Sequence, residues 1–352
     1  MRLVIVVLAV ALLQLPQAAP PPSDQLYARF SAYLDALRIQ GRMPGLAAAI
    51  VGDTDILWEG AYGQSNVEQS IAMSPDTAFH FDALTQVFTA AMTLRCVEEG
   101  KLSLEDPVSK FEQDVPDGNA TIRQVLSHTS GVPGQLIYAY RLERFDPLKS
   151  AVRACTGDSF RETLSNLLDR LAMIDSVPGP DVVTLVPPAE GVPTPETAAR
   201  YLGVLSRLTG SYATSFDGSV ARSIHPDTTL TPTAGLISTA RDYAKFDVAL
   251  KGGFILLPET LAAAWQAPIG GTGQPLPHGL GWFVQTYNGE PVVWQFGMSE
   301  NASSSLVIML PLRRLTLVLL ANSDGLVKPF ALSAGDVTTS PFARVFLGLL
   351  IP

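Results

Sequence analysis

Apolar positions in this 352-residue chain fall into two periods, one helical and one strand-like. Near the start, Leu26, Phe30, Tyr33, Leu34 and Leu37 recur at helical steps behind Ser23 or Asp24, either of which can cap a helix, and Met43-Pro44-Gly45 ends the connection. Residues 46–51 and 56–60 read as two strands joined by Gly52-Asp53-Thr54-Asp55, a hairpin. From Ala83 onward, Ala83, Val87, Ala90, Leu94 and Val97 recur at steps of three and four while Phe88, Ala91 and Met92 fill the neighbouring face. That pattern predicts a largely buried helix, stopped by Gly100. Ser159 and Glu162 form a capping box ahead of Leu164, Leu167, Leu168 and Leu171. Residues 177–195, rich in Pro and Val, read as an irregular crossing, Pro195-Glu196 opens a helix to Leu208, and Thr239 caps a helix to Leu250 with Asp242 three positions on. The last third alternates: 280–284, 292–294, 304–310 and 315–320 read as strands with turns at Asn288-Gly289, around Asn301 and at 311–314, and 341–350 closes as a helix. Strands at both ends with helices between them indicate an α+β fold.

Hydrophobic residues make up 47% of the chain, enough for a large core in about two domains or one composite domain. Lys+Arg 24 against Asp+Glu 33 gives a formal charge of −9, and without a basic cluster this argues against a nucleic-acid surface. Met1-Arg2, the apolar run 3–13 and the small pair Ala18-Ala19 before Pro20-Pro21-Pro22 read as a signal peptide over 1–19. The run falls short of the ~20 residues a bilayer needs, so the expectation is an exported, periplasmic or secreted protein with no integral membrane span once that segment is removed. Export permits a bridge between Cys96 and Cys155, although Cys96 on a buried helix reads as readily as a small hydrophobe. His80, His128, His225 and His278 are scattered without metal-ligand spacing, and no metal or cofactor is expected.

Several strings point further. Pro75-Asp76-Thr77-Ala78-Phe79, then Phe79 through Ala90, Leu102 through Val108, Thr121 through Gly131 ending in His128-Thr129-Ser130-Gly131, and Thr233 through Asp242 follow one another in a specific order. Together they resemble the serine β-lactamase and penicillin-binding-protein-like family, which includes esterases and D-amino-acid peptidases. The resemblance covers nearly the whole chain after residue 24. It implies an antiparallel sheet flanked by terminal helices, built from 24–81 and 233–352, with a mostly helical domain over 82–232 inserted and a pocket between the two. No cofactor is implied.

The chemistry positions depart from that pattern. The family's Ser-x-x-Lys, nucleophile and activating lysine, reads Ala83-Leu84-Thr85-Gln86 here. A methyl group cannot attack a carbonyl, and an amide is no base near neutral pH. Loss of the nucleophile alone costs a serine hydrolase on the order of 10⁶ in kcat. No serine stands three residues before any lysine of the chain, and Thr85 points roughly 200° round the helix from the face in question. The family's Tyr-x-Asn aligns with Tyr140-Arg141-Leu142 at the start of a helix closed by Thr156-Gly157; the asparagine is lost, and Tyr140 reads as a packed tyrosine. The third motif, Lys-Thr-Gly or His-x-Gly, becomes Gln295-Phe296-Gly297 on the second late strand, keeping only the glycine. What can persist is the oxyanion hole that the family builds from backbone N–H groups, here those of Ala83 and Met298. Asp82 reads as a helix cap, and His128 beside Ser130 as part of a scaffold turn. The expectation is a catalytically inactive homologue whose pocket binds a cell-wall peptide or a small carbonyl or carboxylate ligand. The alternative is an active serine hydrolase with a relocated nucleophile, for which Ser299 is the candidate.

Overall fold

The computed structural model describes residues 24–351 apart from 116, 216, 227 and 228. The proposed signal segment 1–19 and the cap candidate Ser23 lie outside the described residues. In chain order, helix α1 (Asp24–Gln40) leads into strands β1 (Gly45–Val51), β2 (Ile56–Asn66), β3 (Ile71–Ala72) and β4 (Phe79–His80), then helix α2 (Thr85–Glu98). The middle of the chain holds α3 (Ile122–Leu126), β5 (Thr129–Ser130), β6 (Ile137–Tyr138), α4 (Leu148–Thr156), α5 (Phe160–Arg170), β7 (Val177–Pro178), α6 (Pro195–Leu205), β8 (Ser211–Thr214) and β9 (Val220–Ser223). The last third carries β10 (Leu236–Ser238), α7 (Ala240–Lys251), α8 (Pro258–Ala264), β11 (Phe283–Tyr287), β12 (Glu290–Ser299), β13 (Ser303–Leu310), β14 (Leu315–Ala321) and α9 (Pro341–Leu350).

Seven strands form one sheet in the order β11-β12-β13-β14-β1-β2-β3, every pairing antiparallel. The chain thus enters the sheet at its middle, leaves for the helical segments, and returns to complete it. Both faces are covered. Leu46, Ala48 and Ile50 join Leu306, Ile308, Leu317 and Leu319 under α1 and α9, whereas Ala47, Ala49 and Val51 join Val307, Val318 and Leu320 beneath α2 and α7. Burial on two sides removes the need for polar alternation, which is why 317–320 is an unbroken apolar run. Tyr33, expected on the buried stripe of α1, is 53% exposed, and Tyr27 takes a place in the core with Phe30 and Leu34.

Local signals account for most boundaries. Asn288 and Gly289 both have positive φ, which a two-residue hairpin between β11 and β12 requires. Ser159 and Glu162 complete their capping box, Thr239 accepts from the Asp242 N–H, and Gly157 ends α4 in the left-handed conformation. The strand expected at 280–284 begins only at Phe283, because Gly281 has φ +100° and the N–H of Leu280 bonds to Ala264. Cys96 and Cys155 form a disulfide with 6.0 Å between their Cα atoms, joining α2 to α4. The reading of Cys96 as a plain buried thiol is thereby corrected.

Candidate functional site

The turn that carries the nucleophile position is a 3₁₀ segment, Asp82–Leu84, running directly into α2. Strand β12 passes so close to it that a Cβ added at Gly297 would stand 2.3 Å from the Phe81 carbonyl oxygen and 2.8 Å from the Leu84 nitrogen. Only glycine fits there, which explains why the third motif keeps its glycine while its cationic first residue is gone. The close approach sets Met298 and Ser299 beside Asp82 and Ala83 on the wall of a cavity of ≈ 230 Å³. Its opposite walls are Leu142, Glu143 and Asp146, from the segment before α4, and Thr231, Thr233 and Ala234, from the approach to β10. Of the positions singled out in the sequence, Ala83, Leu142 and Met298 meet at this cavity, together with Ser299.

Gln86, Tyr140, Gln295 and Phe296 do not line it; they are built into the surrounding structure. Gln86 is fully buried, and its Oε1 lies 3.3 Å from His128 Nε2. The Arg141 N–H donates to His128 Nδ1 at 3.3 Å, so the neutral ring carries its proton on Nε2 and donates to Gln86. Burial holds the His128 imidazole well below its ordinary range, with His278 and Arg144 adding to the effect. Both ring nitrogens are occupied, and His128 forms no dyad with Ser130. Tyr140 packs against His128, Phe283 and Phe296 at centroid distances of 4.5, 5.3 and 5.4 Å. Burial raises its hydroxyl pKa, and the hydroxyl has no partner among the described residues. The helix expected to start at Tyr140 is instead a 3₁₀ turn, Leu142–Phe145, followed after Pro147 by α4, since Arg141 is extended and proline interrupts the ladder. Gln295 turns away from the cavity: its Nε2 donates to the Gly281 carbonyl at 3.3 Å and its Oε1 accepts from the Phe296 N–H at 2.9 Å.

Asp82 is not a helix cap. No side-chain capping bond is present, its φ is +51°, and its carboxylate is buried. Ser299 Oγ donates to Oδ1 and Ser303 Oγ to Oδ2, each at 2.8 Å, and His225 Nε2 lies 2.9 Å from Oδ1. Short polar side chains tolerate the left-handed region, and these donors fix the residue in it. The His225 ring stacks on His80 with centroids 3.5 Å apart. Burial, reinforced by that neighbouring imidazole and opposed by Asp82, holds His80 down at about 3. Histidines far apart in the chain are therefore brought together in two pairs, His80 with His225 and His128 with His278, the latter with centroids 4.8 Å apart. Among the described residues no group of three or more His, Cys, Asp or Glu side chains is placed to hold a metal ion. The Asp82 cluster left no mark on local periodicity. Its only trace in the sequence was a carboxylate immediately before the nucleophile position.

Comparison with known proteins decides the family. A Beta-lactamase family model matches residues 28–336. The chain belongs to the beta-lactamase family. Among curated proteins it is similar to Protein flp of Staphylococcus aureus, 30% identical over 126 residues, or 34% of this chain and 25% of that protein. It is also similar to Esterase EstB of Burkholderia gladioli, 32% identical over 124 residues, or 33% of this chain and 32% of the esterase. These matches span only a quarter to a third of each relative's length. In fold it is similar to the octameric penicillin-binding protein homologue from Pyrococcus abyssi, with TM-score 0.72 at 19% identity over 92% of this chain and 77% of the other. It is likewise similar to the D-alanine carboxypeptidase AmpC from Burkholderia cenocepacia, with TM-score 0.69 at 19% identity over 92% of this chain and 99% of the other. The α+β, transpeptidase-like architecture expected from the sequence is the one observed.

Proposed function

We propose that this beta-lactamase-family chain is a non-hydrolytic binding protein whose cavity at Ala83 takes a small carbonyl ligand such as a cell-wall peptide. The observation that carries the reading is the pair Ala83 and Gln86. A methyl group stands where the family's nucleophile belongs, and the residue in the lysine position is an amide held by His128. Neither can supply or take the proton that acyl transfer needs. The backbone N–H groups of Ala83 and Met298 do not depend on side-chain identity, and both residues lie on the cavity wall. The names of similar proteins, an esterase and a D-alanine carboxypeptidase, favour a carbonyl compound as the ligand class. Export is part of the proposal. The Cys96–Cys155 bridge suits an oxidising compartment, and no helix among the described residues is long and apolar enough to cross a membrane.

A relocated nucleophile is the competing reading, and Ser299 has a carboxylate within reach. The Ser-His-Asp relay places an imidazole between serine and carboxylate, with one ring nitrogen facing each. Here the same nitrogen, His225 Nε2, faces both Asp82 Oδ1 and, at 3.0 Å, Ser303 Oγ, while Ser299 donates straight to the carboxylate. Such an arrangement anchors Asp82 and is not that relay; whether Asp82 serves Ser299 as a direct base is what the labelling test decides. The test is covalent labelling of the purified protein with a fluorescent penicillin and a fluorophosphonate, beside the double variant Ala83→Ser, Gln86→Lys. The wild type is expected to stay unlabelled and the variant to label. Stoichiometric labelling of the wild type would overturn the proposal and identify the nucleophile by peptide mapping.

A further inference from the structure

We infer that the cavity at Ala83 selects a ligand carrying an ammonium group, an aminoacyl amide or ester, over a ligand carrying a carboxylate; this rests on the cavity being a binding site. The family's two cationic positions are Gln86 and Gln295 here, and both amides are engaged elsewhere. Among the described residues no lysine or arginine side chain lines the cavity, whereas Asp82, Glu143 and Asp146 do. Asp82 is satisfied by His225, Ser299 and Ser303. The other two acids have no ion-pair partner among the described residues.

Asp146 is the residue placed to recognise a charge. It is half-buried and lines both this cavity and an adjoining one of ≈ 460 Å³, which Thr231 also shares. Thr233 Oγ1 lies 3.3 Å from Asp146 Oδ1 but donates at 2.8 Å to the Leu142 carbonyl, and a hydroxyl has a single hydrogen to give. When that hydrogen goes to Leu142, the Asp146 carboxylate is left without a donor at a point where a ligand would pass. The cations of the adjoining cavity are committed. Lys149 pairs with Glu112 at 3.3 Å while its charge also reaches Asp146, Arg153 makes two bonds to Glu190, and Arg161 makes two to Asp181. A carboxylate ligand would meet unpaired acids along this path, and an ammonium would supply the missing donor.

The test is isothermal titration of the full chain at neutral pH with alanyl-alaninamide in its D and L forms, its N-acetyl derivative and its N-succinyl derivative. The free amine is expected to bind at least about 10-fold tighter than the N-acetyl form, the scale of one hydrogen bond to a charged group, and the succinyl form to give no heat. Asp146→Asn is expected to bring amine and N-acetyl forms within about twofold of each other. Glu143→Gln, at an exposed position, makes the same comparison should Asp146→Asn fail to fold. Equal or tighter binding of the N-acetyl or succinyl form would overturn the charge selection and leave the binding reading standing. No heat from any of the probes would overturn the binding reading itself, and this inference with it.

Discussion

Removing the Cys96–Cys155 bridge should destabilise the fold by about 4 kcal/mol. The two cysteines are 59 residues apart in sequence. In the chain-entropy account, closing a loop of that length removes about 14 cal/mol/K from the unfolded ensemble, or about 4 kcal/mol at 25 °C. Cys96 lies in the last turn of α2, the helix that begins just after the nucleophile position, and Cys155 in the last turn of α4, which follows the cavity residues Leu142 to Asp146. The bridge therefore ties together the two segments that face each other across the cavity. The assay is urea denaturation of the wild type with and without reductant and of the double variant Cys96→Ala, Cys155→Ala. The reduced wild type retains both sulfur atoms, so its loss reports the crosslink, and the further loss in the double variant reports packing. A loss below about 1 kcal/mol on reduction, or two titratable thiols in the unreduced protein, would refute the reasoning.

Two further outcomes follow from the packing. Gly297→Ala should cost about 1–3 kcal/mol or more in the same urea assay, because its Cβ would meet backbone atoms that cannot swing aside; a change within about 0.5 kcal/mol would contradict the close approach. Stability should also fall between pH 7 and pH 5. Burial holds His80 at about 3 and His278 at about 4 in the folded chain, against about 6.5 when unfolded. Above pH 6.5 both states are neutral; below it the unfolded chain takes up protons that the folded one refuses, so stability is lost as pH falls, by about 2 kcal/mol per histidine at pH 5. His80→Gln should remove only its own share of about 2 kcal/mol from that loss, and a wild-type stability unchanged from pH 7 to pH 5 would count against both burial assignments.

Much of the architecture was legible because it rests on local signals. The strand over 315–320, the Asn288-Gly289 hairpin, the Ser159-Glu162 box and the helix over Pro341–Leu350 each carry their own cause. The polar part of the site was not legible. Asp82 meets His225, Ser299 and Ser303, residues more than 140 positions away, through strands whose pairing no local pattern states. A carboxylate before a helix reads as a cap, and only the left-handed φ together with the three distant donors shows otherwise. Tyr140 misled for the opposite reason. Its motif suggested a helix start, but Pro147 splits the segment and leaves the tyrosine in the aromatic packing around His128.

The departure from the family's chemistry also extends beyond two side chains, which bears on what reversal at Gln86 can restore. His128 is fixed with its proton on Nε2 by the Arg141 N–H, and it presents that proton to position 86. A glutamine oxygen accepts it; a protonated lysine offers only further donors. The lysine of Gln86→Lys thus faces two arrangements. If charged, it forces His128 to the other tautomer and leaves the Arg141 amide without an acceptor, at a cost of about 1–3 kcal/mol. If neutral, as complete burial favours, it can accept from His128, but then its lone pair is occupied and cannot take the proton of a serine at position 83. Either way the double variant Ala83→Ser, Gln86→Lys should label slowly and unfold at lower urea than Ala83→Ser alone. Fast labelling with undiminished stability would mean that His128 is not locked in this tautomer, and that the departure from the family's motif is confined to the two substituted side chains.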